Sequence, residues 1–321
     1  MIKKMKLTGI AALCCVGLGL GAAHAQSNVT KVIIPFPAGG GTDNLGRIFG
    51  RFLQQDLGET VIVENRPGAG GNIAHDFVAA SPADGKTILF TTNSLVIAPL
   101  VDRTVKFDPQ KSFTPIIALA HSPVVVLAKR DAPFNDMAGM LSHAKANPGK
   151  LSFSTCGQGS IHHLSAEQLK ASAGINMLHV PYKGCSPGIL DLAGGQVDVG
   201  FISLTSAASY ISSNKVKALA VTSAKPSGLL PGVPTVTSAG VKNYDFDGWY
   251  AIMAPPGTPA ARINRLNASL NKALADDEVK KTLAAGFLEP LGGTPSYLAE
   301  MIARETAYYR KIVTDAKITA D

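Results

Sequence analysis

Beyond its first 25 residues, the 321-residue chain carries two cysteines, Cys156 and Cys185, with the adjacent histidines His162 and His163 close behind the first. A thiolate at Cys156 with an imidazole as its base would make the nucleophilic pair of a thiol hydrolase. Against this, an exported chain with two cysteines tends to join them in a disulfide, which removes the nucleophile. His163 and Glu167 stand four apart on an expected helix and could share a metal. No second pair supports them and no His-Glu-x-x-His occurs, so a solvated or capping role is the better expectation. Asp43 and the pair Asp84-Gly85 read as cap and turn residues rather than as paired catalytic carboxylates.

Glycine-rich turns carry the stronger signal. Pro35-Phe36-Pro37-Ala38-Gly39-Gly40-Gly41-Thr42-Asp43 leaves a strand and enters a helix, with Thr42 or Asp43 as the expected N-cap. Three glycines let backbone N–H groups approach a ligand without an intervening Cβ. The helix N-terminus adds about half a positive charge. Together they suit a carboxylate or a phosphate, and for this loop alone an ordinary tight turn remains an equal alternative. Ser154-Thr155-Cys156-Gly157-Gln158-Gly159-Ser160 repeats the design, and Pro181-Tyr182-Lys183-Gly184-Cys185-Ser186-Pro187-Gly188 follows another strand. Loops at the C-terminal ends of parallel strands are where open α/β sheets bind ligands. Nucleotide motifs fail: Asn44 and His162 stand where a third glycine is required, and Ala80 replaces the first glycine of a P-loop ending in Gly85-Lys86-Thr87. NAD and ATP are therefore poor expectations.

The elements that must position these turns alternate. Residues 31–35, 60–64, 87–91, 124–129, 151–154, 177–180, 197–202 and 217–223 read as strands, with helices between most of them. After a strand at 249–253 three helical segments finish the chain, the last capped by Thr294 with Pro295 at its first position. The expected fold is α/β and two-lobed, of the periplasmic-binding-protein kind, with two doubly wound sheets joined by a double-crossing hinge. Lobe 1 takes residues 26–122 plus 247–321 and lobe 2 takes 123–246, with crossings near 120–124 and 244–248. Two crossings suit a hinge.

Lys3, Lys4 and Lys6, a charge-free run over 7–23 and Ala23-His24-Ala25 fit a secretory leader over residues 1–25, cleaved before Gln26. Gly9, Gly17, Gly19 and Gly21 make that run a poor membrane anchor. Cleavage removes three lysines and no acid, lowering the net charge from +7 to +4. With no basic block, nucleic acid is a poor partner. Cys156 and Cys185, 29 positions apart, are expected to close one disulfide worth roughly 3–4 kcal/mol on the chain-entropy model.

Several segments, in order, resemble the substrate-binding proteins of tripartite tricarboxylate transporters, the Bug or TctC family. They are residues 35–43, Val63-Glu64-Asn65-Arg66-Pro67-Gly68-Ala69-Gly70-Gly71-Asn72, Ser81-Pro82-Ala83-Asp84-Gly85, His179-Val180-Pro181-Tyr182-Lys183-Gly184, Gly194-Gly195-Gln196-Val197-Asp198, Leu219-Ala220-Val221-Thr222-Ser223 and residues 230–235. The resemblance implies a monomeric periplasmic receptor without enzymatic activity or cofactor, which closes on a small organic acid and serves inner-membrane transporter subunits. It implies ligand contacts at Phe36, Ala38, Gly39, Gly40, Gly41, Thr42 and Asp43 from the first lobe. From the second it implies Gly157, Gln158, Gly159, Ser160, His163, Tyr182, Lys183 and Gly184. Asn93, His162, Ser203 and Thr205 would select the rest of the solute. A sensor for a signalling system is the nearest alternative, and a secreted thiol hydrolase using Cys156 the more distant one.

Overall fold

The computed structural model describes residues 29–319 except Gly40. The expected leader over 1–25 and the Gly40 contact therefore lie outside the described residues. Among those described, no helix is long and apolar enough to cross a membrane.

The chain runs β1 (Val29–Ile34), α1 (Gly41–Leu57), β2 (Thr60–Asn65), α2 (Asn72–Ala79), β3 (Thr87–Thr92) and α3 (Ser94–Val101) into a long β4 (Thr114–Lys129). There follow α4 (Met137–Ala146), β5 (Ser152–Thr155), α5 (Ile161–Ala173), β6 (Leu178–Pro181), α6 (Cys185–Ala193), β7 (Val199–Ser203), α7 (Leu204–Ser212) and β8 (Val216–Val221). The chain ends with β9 (Asp247–Ala254), α8 (Ala260–Ala275), α9 (Asp277–Ala285), β10 (Glu289–Gly292) and α10 (Pro295–Asp315).

These strands form two sheets that share β4. In the first, β2, β1 and β3 are parallel, β9 runs antiparallel to β3, and residues 114–123 of β4 lie between β9 and β10. In the second, residues 124–129 of β4 lie between β8 and β7, followed by the parallel β5 and β6. Both sheets are thus mixed, whereas helix alternation alone suggests parallel ones. β4 and β9 are entered from loops, not crossover helices, so the alternation says nothing about their direction.

The change of sheet falls at Pro123, which pairs with Asp247 at the start of β9. Proline has no N–H to give a ladder and is tolerated where pairing changes. Thr222, wholly buried, pins both crossings: its N–H donates to the Val124 carbonyl (2.9 Å), its carbonyl accepts the Phe246 N–H (3.0 Å), and its hydroxyl donates to the Phe246 carbonyl (2.6 Å). The start of β4 escapes sequence reading because Pro115, His121, Ser122 and Pro123 break its apolar pattern.

α1 places Phe49 and Leu53, and α8 Leu266 and Leu270, in one core with Ile252 of β9. Thr294 caps α10 by accepting the Tyr297 N–H at 3.2 Å, and Leu298, Ile302 and Tyr309 bury its inner face. Leu266 is fully buried in the core. Leu266→Ala is therefore expected to destabilise the protein by about 2–5 kcal/mol, read by urea unfolding.

Candidate binding site

The β1–α1 loop is braced from behind. Asp43 Oδ2 accepts the Gly39 N–H (2.9 Å) and Arg47 Nε (3.0 Å), while Oδ1 accepts Asn65 Nδ2 (2.9 Å). Asn65 Nδ2 also donates to the Phe36 carbonyl at 3.0 Å. The Arg47 hydrogen bond, aided by those from Gly39 and Asn65, holds the buried Asp43 carboxyl down at about 2. Asp43 is thus an internal brace: it is neither the N-cap nor part of the cleft lining, because α1 already begins at Gly41. Gly39, at φ +85°, supplies the left-handed turn that lets its N–H reach Asp43. Ala38 and Gly39 are not in the lining, whereas Phe36, Gly41 and Thr42 are.

The β5–α5 loop is capped at Ser160, whose hydroxyl accepts the His163 N–H (3.3 Å) and donates to the Gly157 carbonyl (2.7 Å). His163 faces inward, stacked on His179 with centroids 4.0 Å apart, and its Nδ1 accepts the Gly159 N–H at 3.2 Å. Burial, with His179 and Lys170 nearby, lowers its pKa to about 3, so the ring is neutral and shapes the loop from beneath. Its Nε2 lies 3.7 Å from Glu167 Oε1, a pair without a third ligand among the described residues. Gln158 lines the cleft but spends its amide on the Thr319 carbonyl at 3.1 Å.

The third turn is joined to the second. Gly184 N–H donates to the Cys156 carbonyl (3.2 Å), Tyr182 N–H to that of Thr155 (3.3 Å), and Cys156 is disulfide-bonded to Cys185. Cys156 therefore has no free thiol, and the hydrolase reading loses its nucleophile. Gly184-Cys185-Ser186-Pro187-Gly188 also has the Gly-x-Ser-x-Gly spacing of a serine-hydrolase elbow. Ser186, exposed in the first turn of α6, is not hydrogen-bonded to any described histidine, so the spacing builds no catalytic pair. Tyr182 turns away to donate to Asp191 Oδ2 (2.7 Å); it, Gly157 and the exposed Lys183 are outside the lining, while Gly184 is within it.

What remains is a cleft of about 1140 Å³ between the two sheets. Six helices open onto it: α1 at Gly41 and Thr42, α2 at Asn72, α3 at Ser94, α5 at Ser160, α6 at Gly184, and α7 at Ser203 and Thr205. The starts of α2, α6 and α7 have no side-chain cap, which leaves their first N–H groups for a ligand or water. No lysine or arginine lines the cleft among the described residues; its one acid, Asp102, is occupied by the N–H and hydroxyl of Thr104 at 2.8 and 2.6 Å. Ile97, Val101, Val124 and Trp249 supply apolar wall. The field inside is therefore that of converging peptide dipoles, positive within the cleft.

His162, Cys185 and Ser203 meet at the second-lobe wall. His162 Nε2 lies 3.7 Å from Cys185 Sγ, and the Ser203 hydroxyl 3.5 Å from the same sulfur and 3.1 Å from Ser206 Oγ. Burial lowers the His162 pKa to about 4, so it faces the cleft as a neutral ring. Cys156, His162 and Cys185 offer three atoms within 4.8 Å, but the disulfide withholds both thiolates from a metal. Asn93 lines the cleft, yet its amide is spent on β9: Oδ1 accepts the Trp249 N–H (2.8 Å) and Nδ2 donates to the Asp247 carbonyl (3.1 Å). Sequence reading missed the α3 wall, since Leu95-Val96-Ile97-Ala98-Pro99-Leu100-Val101 is apolar throughout and has no helical period.

Two sheets sharing a strand, with a cation-free cleft between them, define a two-lobed solute-binding protein. The match to the model of the tripartite tricarboxylate transporter family receptor, TctC, spans residues 46–318, and the chain belongs to that family. It is 38% identical to a UPF0065 protein from the tcbD-tcbE intergenic region of Pseudomonas sp. (strain P51), aligned over 90% of this chain and 86% of the relative. Among solved structures it resembles an R. palustris protein with adipate (TM-score 0.80, 33% identity, 91% and 98% of the two chains). It also resembles MatC from Rhodopseudomonas palustris with bound malate (TM-score 0.75, 28% identity, 89% and 98%).

The disulfide leads to two expected results. Native protein should resist thiol alkylation until reduced, and the double Cys156→Ala, Cys185→Ala variant should lose about 3–4 kcal/mol in urea unfolding.

Proposed function

We propose that the chain is an exported solute receptor that captures a small organic carboxylate between its two lobes and delivers it to a tripartite tricarboxylate-type membrane transporter. The single observation that carries this reading is the convergence of six helix N-termini on a cleft without a basic side chain. Such a site neutralises a carboxylate with N–H donors already fixed by the fold, so little side-chain entropy is lost on binding. The adipate and malate of the two similar structures are of this chemical class. Closure would be a rotation about the paired crossings at Pro123 and Asp247, bringing Gly41 and Thr42 toward Ser160 and Gly184. Export rests on the leader read over residues 1–25, and the boundary between lobes on the change of sheet at Pro123.

Ligand-free protein screened against mono-, di- and tricarboxylates by thermal shift and unfolding is expected to find a stabilising acid. At 100 times its Kd that acid should add about 2.7 kcal/mol. No stabilisation by any acid, with the protein shown to be folded, would defeat the reading. Asp43→Asn should weaken the same acid about ten-fold by calorimetry, although Asp43 lies outside the lining, because it loosens the hold on the Gly39 N–H ahead of α1.

A further inference from the structure

A second cavity, of about 420 Å³, lies behind the hinge. The paired strands β4 and β9 separate it from the cleft: His121 and Asp247 face the rear cavity, Ser122 and Gly248 the cleft, and Trp249 lines both. Glu305 of α10 reaches into the rear cavity and accepts the Trp249 indole N–H at 2.7 Å through Oε2. The same oxygen is 3.4 Å from Asn93 Nδ2. Asn93 holds the N-terminus of α3, where its carbonyl accepts the N–H groups of Val96 and Ile97, and its side chain bonds the backbone of β9 on both sides of Gly248. One carboxylate thus backs the joint between two cleft walls, α3 and β9.

We propose that Glu305 is a positioning residue for solute binding: as a carboxylate it holds α3 against the hinge strand through Asn93 and Trp249, and its protonation slackens the cleft. The proposal rests on the receptor reading above. A hydrogen bond to an ionised acceptor is about twice as strong as one to a neutral acceptor, so loss of the charge weakens both contacts at once.

The surroundings bring this proton into the neutral range. Burial raises the Glu305 carboxyl to about 7, against the opposing pull of the Trp249, Asn93 and Tyr309 hydrogen bonds and the Arg304 charge. The groups around the cavity are Arg304, Tyr308, Tyr309 and Tyr297 on α10, Asp247 on β9 with Asp245 just before it, and His121 on β4. Glu289 on β10 meets His121 from the other side at 3.5 Å. His121 Nδ1 lies 2.9 Å from Asp247 Oδ2, and that hydrogen bond raises its pKa. Burial raises Asp245. All three raised groups bind protons more tightly folded than unfolded. For Glu305 the resulting stability is fully present below the unfolded carboxyl value and is lost as pH rises through about 7. The charged clamp therefore favours binding at the expense of stability.

Trp249 is the single tryptophan of the chain, so its emission reads the clamp directly. Between about pH 5.5 and 8.5 the emission of ligand-free His121→Gln, which removes the neighbouring imidazole's own titration, should show one transition near 7, kept on adding Glu305→Asp and absent on adding Glu305→Gln. In calorimetry with adipate and malate as probes, corrected for their own titration, wild type should bind about five-fold more tightly at pH 8.5 than at pH 6. Glu305→Gln should bind at the weaker value throughout. A featureless wild-type emission profile overturns the proposal without any variant. So does a transition that survives when both His121→Gln and Glu305→Gln are present, or binding whose affinity ignores pH. If no acid binds at any pH, the receptor reading itself falls and the proposal falls with it.

Discussion

Everything the two walls of the cleft can do depends on how the chain crosses between sheets. β4 belongs to both, and its pairing partner changes from β9 to β7 and β8 across Ser122, Pro123 and Val124. Thr222 fastens the two crossings to each other through the carbonyls of Val124 and Phe246. Continuous strands transmit position faithfully, and a joint this narrow confines any relative rotation to a few residues. Trp249, Asn93 and Glu305 sit against that joint, which is why a carboxyl on the last helix bears on a wall of the cleft.

The electrostatics follow from the same arrangement. In each sheet the loops at the strand ends open into helices aimed at the gap between the lobes, so backbone N–H groups, not basic side chains, supply the positive field. A lysine would bring a full charge, but also a flexible stem whose freedom is lost on binding. The residues expected to touch the solute therefore divide in two. Phe36, Gly41, Thr42, Ser160, His162, Gly184, Ser203 and Thr205 line the space, while Asp43, His163 and Tyr182 fix the loops from behind.

Most of the glycine-rich turns were legible in the sequence because glycine spacing and strand-to-helix junctions are local signals. The glycine-rich segments before α1 and α5 lead into helices, as their composition implies, and the segment around Cys185 does so as well. Roles that depend on side-chain direction were not legible. Nothing local distinguishes His162, which faces the cleft, from His163, which stacks on a residue sixteen positions away. The direction of β4 and β9 was hidden because pairing between distant segments leaves no helical alternation to read. The rear cavity gave no signal either: His121, Asp247, Glu289 and Glu305 come from four separate elements.

The central claim is that peptide dipoles, without a basic side chain, hold a carboxylate between the lobes. A crystal structure of the protein with a bound carboxylate tests it most directly. The account predicts carboxylate oxygens within hydrogen-bond distance, directly or through one water, of backbone N–H groups in both the β1–α1 and β5–α5 loops. A carboxylate paired with a lysine or arginine, or one lodged in the cavity behind the hinge, would contradict it.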